Sequence, residues 1–169
     1  RNHSSAASDV YKRQRYSKAL NVLKDSIDFS SCSEVKDIYY EINMPPIPPG
    51  HWVQNKNIGG GPLLGEACHF VDFCNAIMSD EPEKISGGYE RAHYSDSTTP
   101  CDYGIRLAYS CGAIARIAAV ETTSSMPKEI ITIRTNDAHY RITDFCKLER
   151  LGAKTVSYTH LTLPTNGCV

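Results

Sequence analysis

The chain lacks several features that would assign it quickly. It has no C-x-x-C pair: its seven cysteines (Cys32, Cys68, Cys74, Cys101, Cys111, Cys146 and Cys168) are odd in number and widely spaced. That pattern argues against a disulfide framework and against a zinc ribbon, and it fits a reducing cytosol. No apolar run approaches the roughly 20 residues that cross a bilayer. The stretch from Arg1 to Gln14 has no apolar core of the kind a secretory signal needs, so the expected location is cytoplasmic. No sign of charge dominates. Eighteen Lys+Arg stand against 19 Asp+Glu, a formal net charge of -1, so no basic field recruits nucleic acid or an anionic membrane. The G-x-G-x-x-G turn of a dinucleotide site is missing too.

What remains is the composition of a globular domain. Hydrophobic residues make up 41% and charged residues 22% of the 169 positions, enough apolar sequence for one sizeable core and too much for general disorder. The two ends read differently from the middle. Residues 1–14 (R-N-H-S-S-A-A-S-D-V-Y-K-R-Q) show no apolar period. Residues 156–169 (V-S-Y-T-H-L-T-L-P-T-N-G-C-V) alternate weakly and could pass for an edge strand. Both ends closely resemble translated sequencing adaptors, so the expected domain is 15–155 and His3, His160 and Cys168 carry no functional weight.

Between the ends, helix and strand signals alternate and then strands follow in series. Ala19, Leu20, Leu23 and Ile27 recur at helical steps within 16–27. Val35 to Asn43, rich in β-branched and aromatic residues, predicts a strand. Met44 to Gly50 holds four prolines and can be neither element; it predicts a rigid loop that delivers His51 and Trp52. Gly59-Gly60-Gly61-Pro62 opens a helix to about Met78, with Pro62 in the first turn where a missing N–H costs least. Strands are expected at 84–91, 104–110, 113–120, 129–134 and 139–143, with Cys111-Gly112 as a tight hairpin turn. The expected fold class is α+β: a mostly antiparallel open sheet with helices on one face.

Chemistry concentrates on the helix after the triple glycine. Glu66, His69 and Phe73 fall at steps of three and four on one face, with Asp72 on the flank. Leu64, Cys68, Val71 and Asn75 lie on the other side and read as mostly core. An imidazole beside a carboxylate is a usable acid/base pair near neutral pH. The same residues also fit a hydrogen-bonded helix histidine among solvated charges. The glycines could present N–H groups to an anion or merely allow close packing. A zinc site at Cys68, His69 and Cys74 is poor, because adjacent residues on a helix point about 100° apart; no metal is expected.

At these residues the chain resembles a known family. His51 to Phe73 (H-W-V-Q-N-K-N-I-G-G-G-P-L-L-G-E-A-C-H-F-V-D-F) is similar to the C-terminal half of glucose–fructose oxidoreductase/inositol dehydrogenase (Gfo/Idh/MocA) enzymes, in the branch with G-E-x-C-H-F-x-D. Arg15-Tyr16-Ser17 resembles the end of an N-R-R-F-S segment. Met126-Pro127-Lys128-Glu129 and Asp144-Phe145 resemble later P-K-E and D-D-F landmarks. The likeness spans nearly all of 15–152.

That resemblance implies an intact enzyme with an N-terminal Rossmann domain for NAD or NADP and a C-terminal α+β domain shaping the site for a sugar, cyclitol or nucleotide-sugar. The family histidine that handles the substrate proton falls on His69. The family aspartate falls on Gly65, so Glu66 is the candidate replacement, one residue displaced. Substrate contacts are expected from Trp52, His51, Gly61, Asp72 and Arg15, the aromatic ring of Trp52 suiting a sugar face. The open sheet face is expected to form a homo-oligomer interface. The Rossmann half is expected to lie outside this sequence, because a cofactor domain of order 100–150 residues cannot fit in the 14 residues before Arg15. The fragment alone is therefore expected to bind no cofactor and to turn nothing over. A non-catalytic assembly domain of the same fold is the second reading, and a small metal- or ligand-binding protein the third.

Overall fold

The computed structural model describes residues 16–27, 34–46, 48, 50–52, 62–89, 102–122, 125–152 and 156–158. Among the described residues, two helices, α1 (Lys18–Ser26) and α2 (Pro62–Met78), cover one face of an eight-stranded sheet. The strands are β1 (Val35–Met44), β2 (Lys84–Tyr89), β3 (Tyr103–Ala108), β4 (Ile114–Glu121), β5 (Glu129–Thr135), β6 (His139–Thr143), β7 (Lys147–Leu151) and β8 (Val156–Tyr158). Their order across the sheet is β2-β3-β4-β1-β5-β6-β7-β8. Every neighbouring pair is antiparallel except β1 with β4, which run parallel. The α+β class and the open sheet expected from the sequence are what the chain adopts.

Local signals account for the elements. Ser17 caps α1, its hydroxyl accepting from the Leu20 N–H at 3.2 Å, and Lys24 sits favourably in the last turn. Pro62 is the first helical residue of α2. Gly112, at φ 86°, supplies the left-handed residue of the β3–β4 turn, where its N–H reaches the Tyr109 carbonyl at 2.9 Å. β7 was not among the expected strands. Its sequence, K-L-E-R-L, buries only Leu148, and the turn before it carries no glycine or asparagine. Instead Asp144 (φ 47°) and Phe145 (φ 55°) both take left-handed conformations, and the Cys146 N–H closes on the Thr143 carbonyl at 3.0 Å. β8 falls in the tail whose alternation allowed an edge strand.

The core lies between the helices and the inward side chains of the central strands. Along β1, Ile38, Tyr40, Ile42 and Met44 point inward while Lys36 and Tyr39 face out. Phe70 and Phe73 of α2 meet the Tyr40 ring edge-on, at centroid distances of 5.1 and 5.6 Å, and Phe73 meets Phe145 at 5.3 Å. Such edge contacts add about 0.5–1.5 kcal/mol each beyond the area they bury.

One cysteine expectation fails. Cys111 is disulfide-bonded, while Cys68, Cys74 and Cys146 carry thiols. Sequence spacing reports separation along the chain, and the turn that exposes Cys111 decides what it can reach.

Candidate functional site

The site is built on the N-terminal half of α2, over the end of the sheet where β1 finishes and β3 and β5 begin. α2 is apolar nearly all round, so its period does not select a buried side. The aromatic pair does: Phe70 and Phe73 face the sheet, with Ala67, Cys74 and Ile77 beside them. This corrects the expected core side. Leu64 is 73% exposed, Cys68 faces solvent, and Val71 and Asn75 are only half-buried. Phe73 turns wholly inward, and Glu66 and His69 ride half-buried on the rim of the same arc, with Asp72 further round.

Two buried polar side chains, Tyr103 and Glu129, stand at the ends of a row on the helix-covered face, with apolar residues between them. Tyr103, Ala119, Ile42 and Glu129 sit side by side across β3, β4, β1 and β5 on the helix-covered face. Glu129 is buried and accepts a hydrogen bond from the Tyr40 hydroxyl. Burial raises its carboxyl above the ordinary range, opposed by the Tyr40 bond and by Lys128, with Asp144 and Glu66 adding to the rise. Tyr40 is itself pushed well up, first by burial and then by the Glu129 charge. Asp144 closes the end of the row, its carboxylate accepting from the Glu129 N–H at 2.9 Å.

Tyr103 stands at the other end of the row, 1% exposed, and its hydroxyl has no hydrogen-bond partner among the described residues. Burial pushes this phenol up, and the Glu66 carboxylate is the next largest cause, followed by Tyr89 and Cys68. The Tyr89 ring meets the Tyr103 ring edge-on at 6.4 Å, and the Tyr89 hydroxyl accepts from the Leu63 N–H at 3.1 Å. Asp102 fixes the start of β3 by accepting from the Glu121 N–H at 2.7 Å. A strand-initial carboxylate ahead of I-I-T-I, and a tyrosine at an inward position of a strand, were the available signals for Glu129 and Tyr103.

His51 and Trp52 follow a turn in which Gly50 (φ 79°) lets the His51 N–H reach the Pro48 carbonyl at 3.1 Å. Both are exposed, their rings 5.7 Å apart and tilted by 36°, with Trp52 57% accessible. Arg15 and Gly61 lie outside the described residues. The structure thus places Glu66, His69 and Asp72 half-buried on one helix, α2, and presents His51 and Trp52 on a separate loop. Among the described residues no three His, Cys, Asp or Glu side chains converge on a metal-sized point, and no helix is long and apolar enough to cross a membrane.

Solved structures share this architecture. A UDP-N-acetylglucosamine 3-dehydrogenase from Acidithiobacillus ferrooxidans superposes with a TM-score of 0.67 at 13% identity, covering 91% of this chain and 46% of that one. A levoglucosan dehydrogenase in complex with NADH gives 0.70 at 14%, covering 92% and 46%. The fold is one these oxidoreductases share. An oxidoreductase domain protein from Kribbella flavida gives 0.67 at 17%, covering 88% and 44%. The chain spans a little under half the length of each. No family model and no curated protein sequence matches it.

Proposed function

We propose that this chain is the C-terminal, substrate-binding part of an NAD(P)-dependent oxidoreductase that acts on a sugar, cyclitol or nucleotide-sugar by hydride transfer. The observation that carries this reading is the G-E-x-C-H-F-x-D segment on α2, which puts Glu66 and His69 half-buried on one rim of a fold shared with sugar-type dehydrogenases. The motif likeness supports membership of the Gfo/Idh/MocA family.

The chain's own groups would do the following. Removing a hydride from a carbinol carbon requires the hydroxyl proton to leave, and the His69 imidazole is the acceptor for it. Glu66, one turn earlier, orients the hydroxyl by accepting from it or stabilises the charged imidazole. Trp52 offers an apolar ring and His51 a polar edge to the sugar face. Arg15, Gly61 and Asp72 complete the proposed contacts. NAD or NADP, in the intact enzyme, supplies the hydride acceptor. This chain's residues do not fit that cofactor, since the strand–G-x-G-x-x-G–helix cradle for its pyrophosphate is lacking. Cofactor binding belongs to a separate Rossmann domain, and the fragment alone is inactive. A soluble, cytoplasmic enzyme assembling as a homo-oligomer through the open sheet face completes the picture.

A second reading is a non-catalytic assembly domain of the same fold. The open face favours it: Tyr39 and Val120 are exposed there, and Arg106 and Arg116 lie directly opposite each other on β3 and β4. Joining the chain in frame to its upstream coding sequence and following NADH formation with a panel of sugars separates the two. Turnover that drops about 100-fold or more in His69→Ala supports the enzyme. A joined protein that carries no cofactor domain, or whose turnover ignores His69, leaves the assembly reading.

A further inference from the structure

The outer face of the sheet, opposite α1 and α2, does not share its charges evenly. On β2, β3 and β4 its outward positions carry three exposed cations, Lys84, Arg106 and Arg116, and no carboxylate. The chain as a whole has a formal net charge of -1, so this wing is a local exception. Arg106 and Arg116 stand directly opposite each other across β3 and β4. That placement brings Cβ atoms within about 5 Å and costs stability when the charges are alike. Lys84 lies on the diagonal from Arg106, within reach of a long side chain.

The carboxylates on the rest of this face do not answer them. Asp37 holds Arg134 through both oxygens, Glu149 holds Lys147 at 2.8 Å, and Glu41 accepts from the Asn43 amide at 3.2 Å. Among the described residues neither the Arg106 nor the Arg116 guanidinium makes an ion pair or a hydrogen bond. Gly88, Gly104 and Ala118 form the next row across the same strands, so nothing bulkier than a methyl group there keeps another chain's backbone away. Tyr39, 42% exposed, follows Arg116 in its row, and Val120, 41% exposed, lies near the end of β4.

We propose that the outer face of β2, β3 and β4 docks an acidic, extended segment of a partner protein, whose carboxylates are taken by Arg106 and Arg116. Guanidinium forks match carboxylates bidentately, and two neighbouring forks call for more than one negative charge. An open surface that pairs Arg with Tyr has the composition of a protein contact, whereas small-molecule sites are concave. A second copy is the poorer occupant, because its own β2–β4 face repeats the same cations. The remainder of the face, where Asp37, Glu41 and Glu149 offset Arg134, Arg141 and Lys147, is left for self-association. The docking face lies across the sheet from α2, so it stands whether or not the covered face binds a sugar.

The test uses the full 169-residue chain and two short capped peptides, one alternating glutamate with threonine and the other glutamine with threonine, titrated by calorimetry. The glutamate peptide is expected to bind at least about tenfold more tightly than the glutamine peptide, and added salt should weaken it. Arg106→Gln combined with Arg116→Gln should cost about tenfold or more, with a melting temperature at or above the parent's because the repulsion is gone. Arg141→Gln, which removes a like charge from the balanced part of the face, should leave affinity within about twofold. A loss in Arg141→Gln as large as in either single arginine substitution would mean general charge attraction and overturn the docking face. Equal binding of the two peptides, or no binding of either, overturns it as well. A parent chain that sediments as a dimer and is dissociated by the paired arginine substitution would make the occupant a second copy, against the proposal.

Discussion

Tyr40 and Glu129 meet on neighbouring strands, β1 and β5, although 89 positions separate them in the chain, and the phenol donates directly to a carboxylate that α2 seals from solvent. A buried acid that accepts from a neutral phenol makes the core sensitive to protonation.

Glu129→Gln tests that sensitivity. Burial raises the Glu129 carboxyl in the folded chain, so the folded state holds its proton more readily than the unfolded state. The stability this confers is fully present below the unfolded pKa and is lost as pH rises through the raised folded value. Glutamine does not titrate and still offers Tyr40 an acceptor. Thermal melts from about pH 4 to about pH 8 are expected to show the variant gaining on the parent as pH rises. A gap that stays constant with pH would remove Glu129 from the account.

Tyr40→Phe takes away the donor and leaves the acid. Hydrogen bonds to charged groups contribute about 1.5–3 kcal/mol, so urea denaturation at neutral pH should show a loss of that order. In the Glu129→Gln background the loss should shrink, because a neutral amide oxygen accepts from Tyr40 more weakly than a carboxylate does. Simple addition of the two effects would mean the contact is energetically idle.

The two sides of α2 should respond differently to truncation. Phe73, fully buried against Tyr40 and Phe145, is expected to cost about 3–5 kcal/mol as alanine. Leu64, 73% exposed, should change stability by about 0.5 kcal/mol or less. Equal losses at the two positions would mean that Leu64 is covered in solution.

Adjacent glycines in β2 give a sharper contrast. A Cβ on Gly87, whose φ is 154°, would lie 2.2 Å from the Gly104 carbonyl oxygen, whereas a Cβ on Gly88 meets nothing within 4 Å. Gly87→Ala should therefore displace β2 from β3 and cost about 2 kcal/mol or more, while Gly88→Ala stays within about 0.5 kcal/mol. Hydrogen exchange across β2 and β3 reads the difference directly; equal protection in both variants would contradict the pairing.

Much of this was legible in the residues themselves. Pro62 after the glycines located the start of α2, and the β-branched run at Val35 located β1. Alternation worked wherever one face is buried and the other is not, as in β4 and β5. It failed for β7, whose single buried Leu148 gives no period, and for the turn at Asp144-Phe145, whose left-handed pair contains no glycine. The buried side of α2 was illegible for another reason: with apolar residues on nearly every side, only the sheet's own aromatic, Tyr40, decides which face turns in. Glu66 and His69 are candidates that spacing alone singles out. Tyr103 and Glu129 carry only weak local signals, because strand pairings rather than neighbours in the chain set them in one row.

The central position of β1 has a consequence for how the molecule is assembled. β4 and β5 follow one another in the chain, yet they never touch as a hairpin, because β1 lies between them, parallel to one and antiparallel to the other. The ten-residue segment Val35–Met44 is therefore the strand that joins the two wings of the sheet. Contacts this distant in sequence close slowly, and until they do the wings present open strand edges. A synthetic peptide of that segment is expected to slow refolding by pairing with the open edges of β4 or β5, which a refolding time course with and without the peptide checks.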